Sequence, residues 1–210
     1  MKDSAIDLQE ITKDLKAKMV SFSPGQRLVE LELCKQYNAP RSKVREVLRQ
    51  LERDGFVRII PNVGAVVAEL SQKDIEQTYD SLGVLEGLAA RVATPAITAD
   101  HLDYMQNILD KMKAAETPPQ FFDYNLEFHS YCVSLCDNER LIWCAGNLLN
   151  HVRCFYYREV YLPYAQAASK EHQKILEAIR ERKAAKVERL IRTHYLNAKH
   201  LLLKYMNKSL

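Results

Sequence analysis

The chain has 210 residues, 47% of them hydrophobic, and a formal net charge of +3 from 30 lysines and arginines against 27 aspartates and glutamates. That length allows one large domain or two smaller ones with a buried core, and the mildly basic balance means that any affinity for nucleic acid must come from local charge. With no N-terminal charged-plus-apolar leader and no long uninterrupted apolar run, the sequence argues against export and membrane spanning and predicts a cytoplasmic protein.

In chain order, Ile11, Leu15 and Met19 recur at helical spacing before the break at Pro24-Gly25. Leu31 to Tyr37 predicts a second, short helix packed through Leu33, and the turn Asn38-Ala39-Pro40 opens a third, with proline tolerated in its first turn. On this third helix Arg41, Arg45 and Arg49 recur every four residues as one stripe, while Val44, Val47, Leu48 and Leu51 form a neighbouring apolar face. One face packs, and the other offers guanidinium groups suited to guanine edges and phosphate oxygens. Arg41, Lys43, Arg45 and Arg49 against Glu46 alone make this segment locally basic, although a solvated charged face is the plain alternative. Asp54-Gly55 ends the helix. Phe56 to Ile60 and Ala65 to Val67 then predict two strands of a wing, joined through Asn62, Val63 and Gly64.

Pro24-Gly25, Leu28, Arg41, Val44-Arg45-Glu46, Leu48, Leu51, Gly55 and Gly64 stand in the register of a known pattern. On these residues the N-terminal third resembles the winged helix-turn-helix of the GntR family of bacterial transcription regulators. The resemblance implies that Arg41, Ser42, Lys43, Arg45 and Arg49 serve the major groove of double-stranded DNA, and that the wing tip at Asn62 and Gly64 approaches the minor groove. Pro40 stands where relatives carry serine, and Lys43 where many carry proline, so the preferred operator is not readable from the pattern.

Beyond residue 70 the texture is helical throughout, with residues 68 to 73 as the linker. Ser71 and Asp74 form a capping box for a helix to about Ala93, stopped by Pro95. Thr98 caps the next, through Met112. Thr117-Pro118-Pro119 separates it from one covering Gln120 to Cys136, and Asn138 opens a long helix to about Tyr161. Pro163 is expected to break that helix, Ser169 to cap another through Ile179, and Ala184 to Met206 to form the last. The expected fold is therefore mainly α: a winged helix-turn-helix over 1–70 and an all-α bundle over 71–210. Cys34, Cys132, Cys136, Cys144 and Cys154 are odd in number and lack a CxxC pair, which predicts reduced thiols. Cys132 and Cys136 read as buried small residues, with a zinc or redox pair as the alternative.

Asn125 and His129 are four apart on one predicted helix, and His172 and His194 fall on two later ones. Three imidazoles and an amide oxygen suit zinc, nickel, iron or manganese, yet histidines scattered over helices serve equally as hydrogen-bonded core or surface groups. Leu85-Glu86-Gly87-Leu88-Ala89-Ala90, Asn125-x-x-Phe128-His129, Glu171-His172-x-x-Ile175-Leu176-x-Ala178-Ile179 and His194 also resemble the FCD domain of the FadR-type branch. That resemblance implies a divalent metal, zinc foremost, on Asn125, His129, His172 and His194, and a small carboxylate effector beside it. His101, His151 and His200 fall outside the pattern.

Many FCD domains carry an arginine toward the effector where this chain has Leu82, so Arg153 and Arg158 become candidates for the anion clamp, with surface ion pairing as the alternative. Tyr156, Tyr157, Tyr161 and Tyr164 crowd the same stretch as pocket, core or interface residues. The expected function is a homodimeric repressor on an approximately palindromic operator, controlled by an organic acid. A metal-dependent enzyme and an effector-free architectural DNA binder are the other classes. Glu127 and Glu171, the nearest acids in sequence, point away from Asn125/His129 and from His172 on their helices, which argues against a catalytic base.

Overall fold

The computed structural model describes residues 7–19, 22–68, 71–152 and 161–206. The chain divides into two units, residues 1–70 and 71–210. The first contains α1 (Leu8–Lys18), β1 (Arg27–Leu28), α2 (Glu30–Gln36), α3 (Arg41–Arg53), β2 (Val57–Ile60) and β3 (Gly64–Val67). Ile11 and Leu15 from α1, Met19 at its C-terminal cap, and Val44, Val47, Leu48 and Leu51 from α3 are buried, and α1 and α2 both pack on α3. Apolar residues at helical spacing thus make the core, while the polar side of α3 stays outside.

α3 ends as its sequence dictates. Gly55 takes φ 78°, its N–H donates to Glu52 O at 3.0 Å, and the Phe56 N–H donates to Leu51 O at 2.9 Å. This is a Schellman closure, with Phe56 and Leu51 both buried beneath it. Pro40 stands one residue before the helix, at its N-cap, rather than inside the first turn.

The wing is a three-stranded antiparallel sheet in the order β1-β3-β2. Ile60 pairs with Gly64, so Pro61, Asn62 and Val63 form the turn, and Gly64 is the first strand residue rather than part of the connection. Asn62 holds φ 63°, a left-handed conformation that asparagine tolerates better than most residues. Strand β1 has only two residues, too few to show an alternation, and this is why sequence reasoning found two strands.

The second unit contains α4 (Gln72–Ala93), a 3-10 turn (Thr94–Ala96), α5 (Ala99–Lys113), α6 (Pro118–Ser134), α7 (Glu139–Val152), α8 (Tyr161–Arg180) and α9 (Ala184–Met206). Ser71 and Asp74 close the expected capping box, and Thr98 and Thr117 cap α5 and α6. Two expectations need correction. Pro118 and Pro119 open α6 instead of separating it from α5, because the first turn needs no amide donor from them. Pro163 lies within the described part of α8, and Ser169 stands in mid-helix and not at a cap. Among the described residues, no helix is long and apolar enough to cross a membrane.

α9 packs along α4, and glycines make room for it. A Cβ on Gly87 would lie 3.2 Å from the Glu188 carbonyl oxygen and 3.3 Å from Arg192 Cγ. Gly87→Val should therefore destabilise the second unit by about 1 to 3 kcal/mol despite the loss of a helical glycine, because the obstructing atom is backbone. An unchanged urea midpoint in that variant would show that α9 shifts freely.

Candidate metal centre and nucleic-acid interface

Three helices bring the second unit's histidines together. His129 comes from α6, His172 from α8 and His194 from α9, all buried, and their ligand atoms lie within 4.8 Å of one another. His129 Nε2 and His172 Nε2 are 3.1 Å apart. Two imidazole nitrogens, each about 2.0 to 2.1 Å from one ion, are separated by roughly this distance at angles between a right angle and the tetrahedral value. The three rings therefore fit a divalent ion.

The far side of the rings supports the same assignment. His129 Nδ1 donates to Glu86 Oε2 at 2.7 Å, and His194 Nδ1 donates to Glu171 Oε2 at 2.7 Å. A carboxylate only accepts, so each contact fixes the proton on Nδ1 and leaves Nε2 with a free lone pair. Metal-binding histidines are characteristically backed in this way. Burial, followed by the neighbouring imidazoles, pushes His172 well below the ordinary histidine range; burial also lowers His194. Neutral rings are the form that binds a metal. Burial raises Glu171, but hydrogen bonds from His194 and from Asn197 Nδ2 at 2.7 Å outweigh it and leave the group below its usual value.

Among the described residues, His172 Nδ1 and Glu86 Oε1 are buried without a hydrogen-bond partner. Unpaired polar atoms of this kind are uncommon in a finished core. Asn125 is buried one helical turn before His129 on α6, and its Oδ1 lies 3.5 Å from Tyr164 Oη. Tyr195 Oη approaches His129 Nδ1 at 3.3 Å.

Sequence reasoning missed the parts played by Glu86 and Glu171. Glu86 is a buried acid, and its placement on an otherwise apolar face of α4 was the available signal. Glu171 points away from His172, as neighbours on a helix must, and reaches His194 on α9, a contact that spacing along a single helix cannot reveal. Glu127 instead accepts from Tyr104 Oη at 2.8 Å, on the exposed side of α6. Leu82 is fully buried, so it is a packing residue. Arg153 and Arg158 lie outside the described residues, as do Tyr156, Tyr157 and Cys154. Cys132 and Cys136 are buried free thiols, and burial pushes the Cys132 thiol far up. His101 caps α5 through Nδ1, which accepts from the Thr98 N–H at 3.2 Å, and His200 is exposed.

In the first unit, Arg41, Ser42, Arg45 and Arg49 are exposed on α3 and Lys43 is half-buried. Asn62 is exposed at the wing tip and Gly64, φ 98°, lies beside it. Two basic residues absent from the sequence reading join this surface. Arg27 on β1 and Arg58 on β2 both pair across Val66, so their side chains leave the same face of the sheet. Both are exposed.

Residues 8–67 match the pattern described as "Bacterial regulatory proteins, gntR family", and residues 77–197 match the FCD domain. The chain belongs to the GntR family. It is a transcriptional regulator of the branch carrying an FCD domain, a family of regulators and not of enzymes. It is similar to the HTH-type transcriptional regulator YdhC of Bacillus subtilis, 26% identical over 83% of this chain and 80% of that one. It is also similar to the HTH-type transcriptional repressor RspR of Escherichia coli, 26% identical over 89% of this chain and 84% of that one. McbR/YncC of Escherichia coli shares the fold with a TM-score of 0.81 at 17% identity, covering 96% of this chain and 99% of that one. A GntR regulator from Rhodococcus sp. gives 0.78 at 21% identity, covering 94% and 97%.

Proposed function

We propose that this GntR regulator is a cytoplasmic homodimer that represses transcription from an approximately palindromic operator and is controlled by a small organic acid bound at a divalent metal. The observation that carries the reading is the buried three-histidine cluster with carboxylates behind two of its rings, in a chain whose other domain is a DNA-binding one. His129, His172, His194 and Asn125 are the proposed ligands, with zinc the leading ion over nickel, iron and manganese. When bound, such an ion supplies open coordination positions for a carboxylate oxygen. Because Leu82 is a packing residue, Arg153 and Arg158 are the proposed clamp for the acid's charge.

On DNA, Arg41, Ser42, Lys43, Arg45 and Arg49 serve the major groove, and Asn62 and Gly64 the minor groove, with Arg27 and Arg58 available to phosphates. An exposed stripe on α4, Val84, Leu88 and Val92 at four-residue spacing, supports the dimer, since a two-fold contact buries the same stripe from both copies. The similar Escherichia coli protein RspR carries "repressor" in its name, which supports that sign of control. Ligand acts only through unequal affinity for two arrangements of the dimer. A hundredfold change in operator affinity corresponds to about 2.7 kcal/mol, within the range of a charge-assisted contact formed in one arrangement.

The test is operator affinity of the zinc-loaded protein, titrated with small mono- and dicarboxylates, before and after chelation. At least one acid should weaken binding about tenfold or more, and chelation should remove its effect. If no acid moves the affinity of the metal-loaded protein, ligand control through this centre is wrong while DNA binding stands.

A further inference from the structure

Glu30 is the first residue of α2 and faces the arginine stripe of α3. Its Oε2 accepts from Arg41 Nε at 2.8 Å, and its two oxygens accept from Arg45 Nε at 3.1 Å each. The Glu30 side chain is 23% exposed, whereas those of Arg41 and Arg45 are 59% and 55% exposed. A surface ion pair of this kind contributes little to stability, because solvent screens it and ordering two long side chains opposes it. Its geometry is more informative. Both arginines bond through Nε, the inner nitrogen of the guanidinium, which leaves the Nη donors of these exposed side chains for other partners. Two like charges one helical turn apart repel, and a single carboxylate between them holds both in register.

We infer that Glu30 is a positioning residue for operator reading: one carboxylate fixes the Arg41 and Arg45 guanidiniums so that their free edges meet base edges together. This rests on the proposed role of those arginines in DNA recognition. An arginine fork discriminates guanine only when both of its donors reach O6 and N7, so a fork fixed in advance favours base reading over loose phosphate contact. The negative charge of Glu30 simultaneously weakens attraction to phosphates, which is the sequence-independent part of binding. Glu30 therefore raises specificity more than it raises affinity.

The test measures affinity of the full-length protein for an operator duplex selected from genomic DNA and for a random duplex of equal length. Glu30→Gln should lose about tenfold on the operator and hold or gain on random DNA, with an unchanged melting temperature. Glu30→Asp, which keeps the charge on a shorter stem, should lose operator affinity and leave random DNA unchanged. In an Arg41→Ala, Arg45→Ala background, Glu30→Gln should remove nothing further from operator binding. A purely structural residue would lower both affinities in proportion, and that result, or wild-type operator binding by Glu30→Gln, overturns the inference. If the unmodified protein itself prefers no sequence, the regulator reading fails and takes this one with it. A preference that Arg45→Ala abolishes but Glu30→Gln leaves intact removes Glu30 alone.

Discussion

His172→Ala is expected to lower zinc affinity by more than about a hundredfold and to leave the purified protein without stoichiometric metal. His172 supplies Nε2 at 3.1 Å from His129 Nε2 within the three-histidine cluster, and it is fully buried. Loss of a group behind a ligand typically reduces metal affinity 10- to 100-fold, and loss of a ligand itself exceeds that. Glu86→Gln provides the graded comparison. It keeps the size of the side chain but removes the charge facing His129 Nδ1, and it should weaken zinc by about 10- to 100-fold without abolishing it. Competition with a chromogenic chelator reads both changes. Undiminished metal in His172→Ala would place the site elsewhere, and an equal loss in both variants would mean that Glu86 acts by holding the fold.

Arg45→Ala should weaken binding to the operator by about 1 to 3 kcal/mol if the guanidinium reads a base, with a much smaller change on random DNA. Arg45 is exposed at the centre of the stripe, and among the described residues it bonds to Glu30. Removing it therefore breaks no core contact, and a change in stability cannot masquerade as a change in binding. A residue touching only phosphate would instead lower both affinities alike and reduce the salt slope by about one. Equal retention of operator and random binding would remove Arg45 from the interface.

The helices of both units were legible because their apolar residues recur at helical spacing and their caps are written in Ser71, Thr98 and Thr117. Proline was the misleading signal. Pro118 and Pro163 read as breaks, yet Pro118 stands in the first turn of α6, where a missing amide donor costs nothing, and Pro163 lies within α8. His129, His172 and His194 come together in space, and the family resemblance was what singled them out from six histidines. The acids behind the rings were not legible. Glu86 reaches His129 across 43 residues and Glu171 reaches His194 across 23, and helical periodicity relates only residues on one helix. The same holds for Glu30, whose partners lie 11 and 15 residues on, beyond a turn. Strand β1 was missed because two residues cannot establish a period.

The measurement that bears most directly on this account is selection of genomic DNA fragments by the purified protein, with Arg45→Ala carried in parallel. The account predicts enrichment of a short, approximately palindromic sequence by the unmodified protein and its loss in the variant. No enriched sequence, with or without added divalent metal, would contradict it.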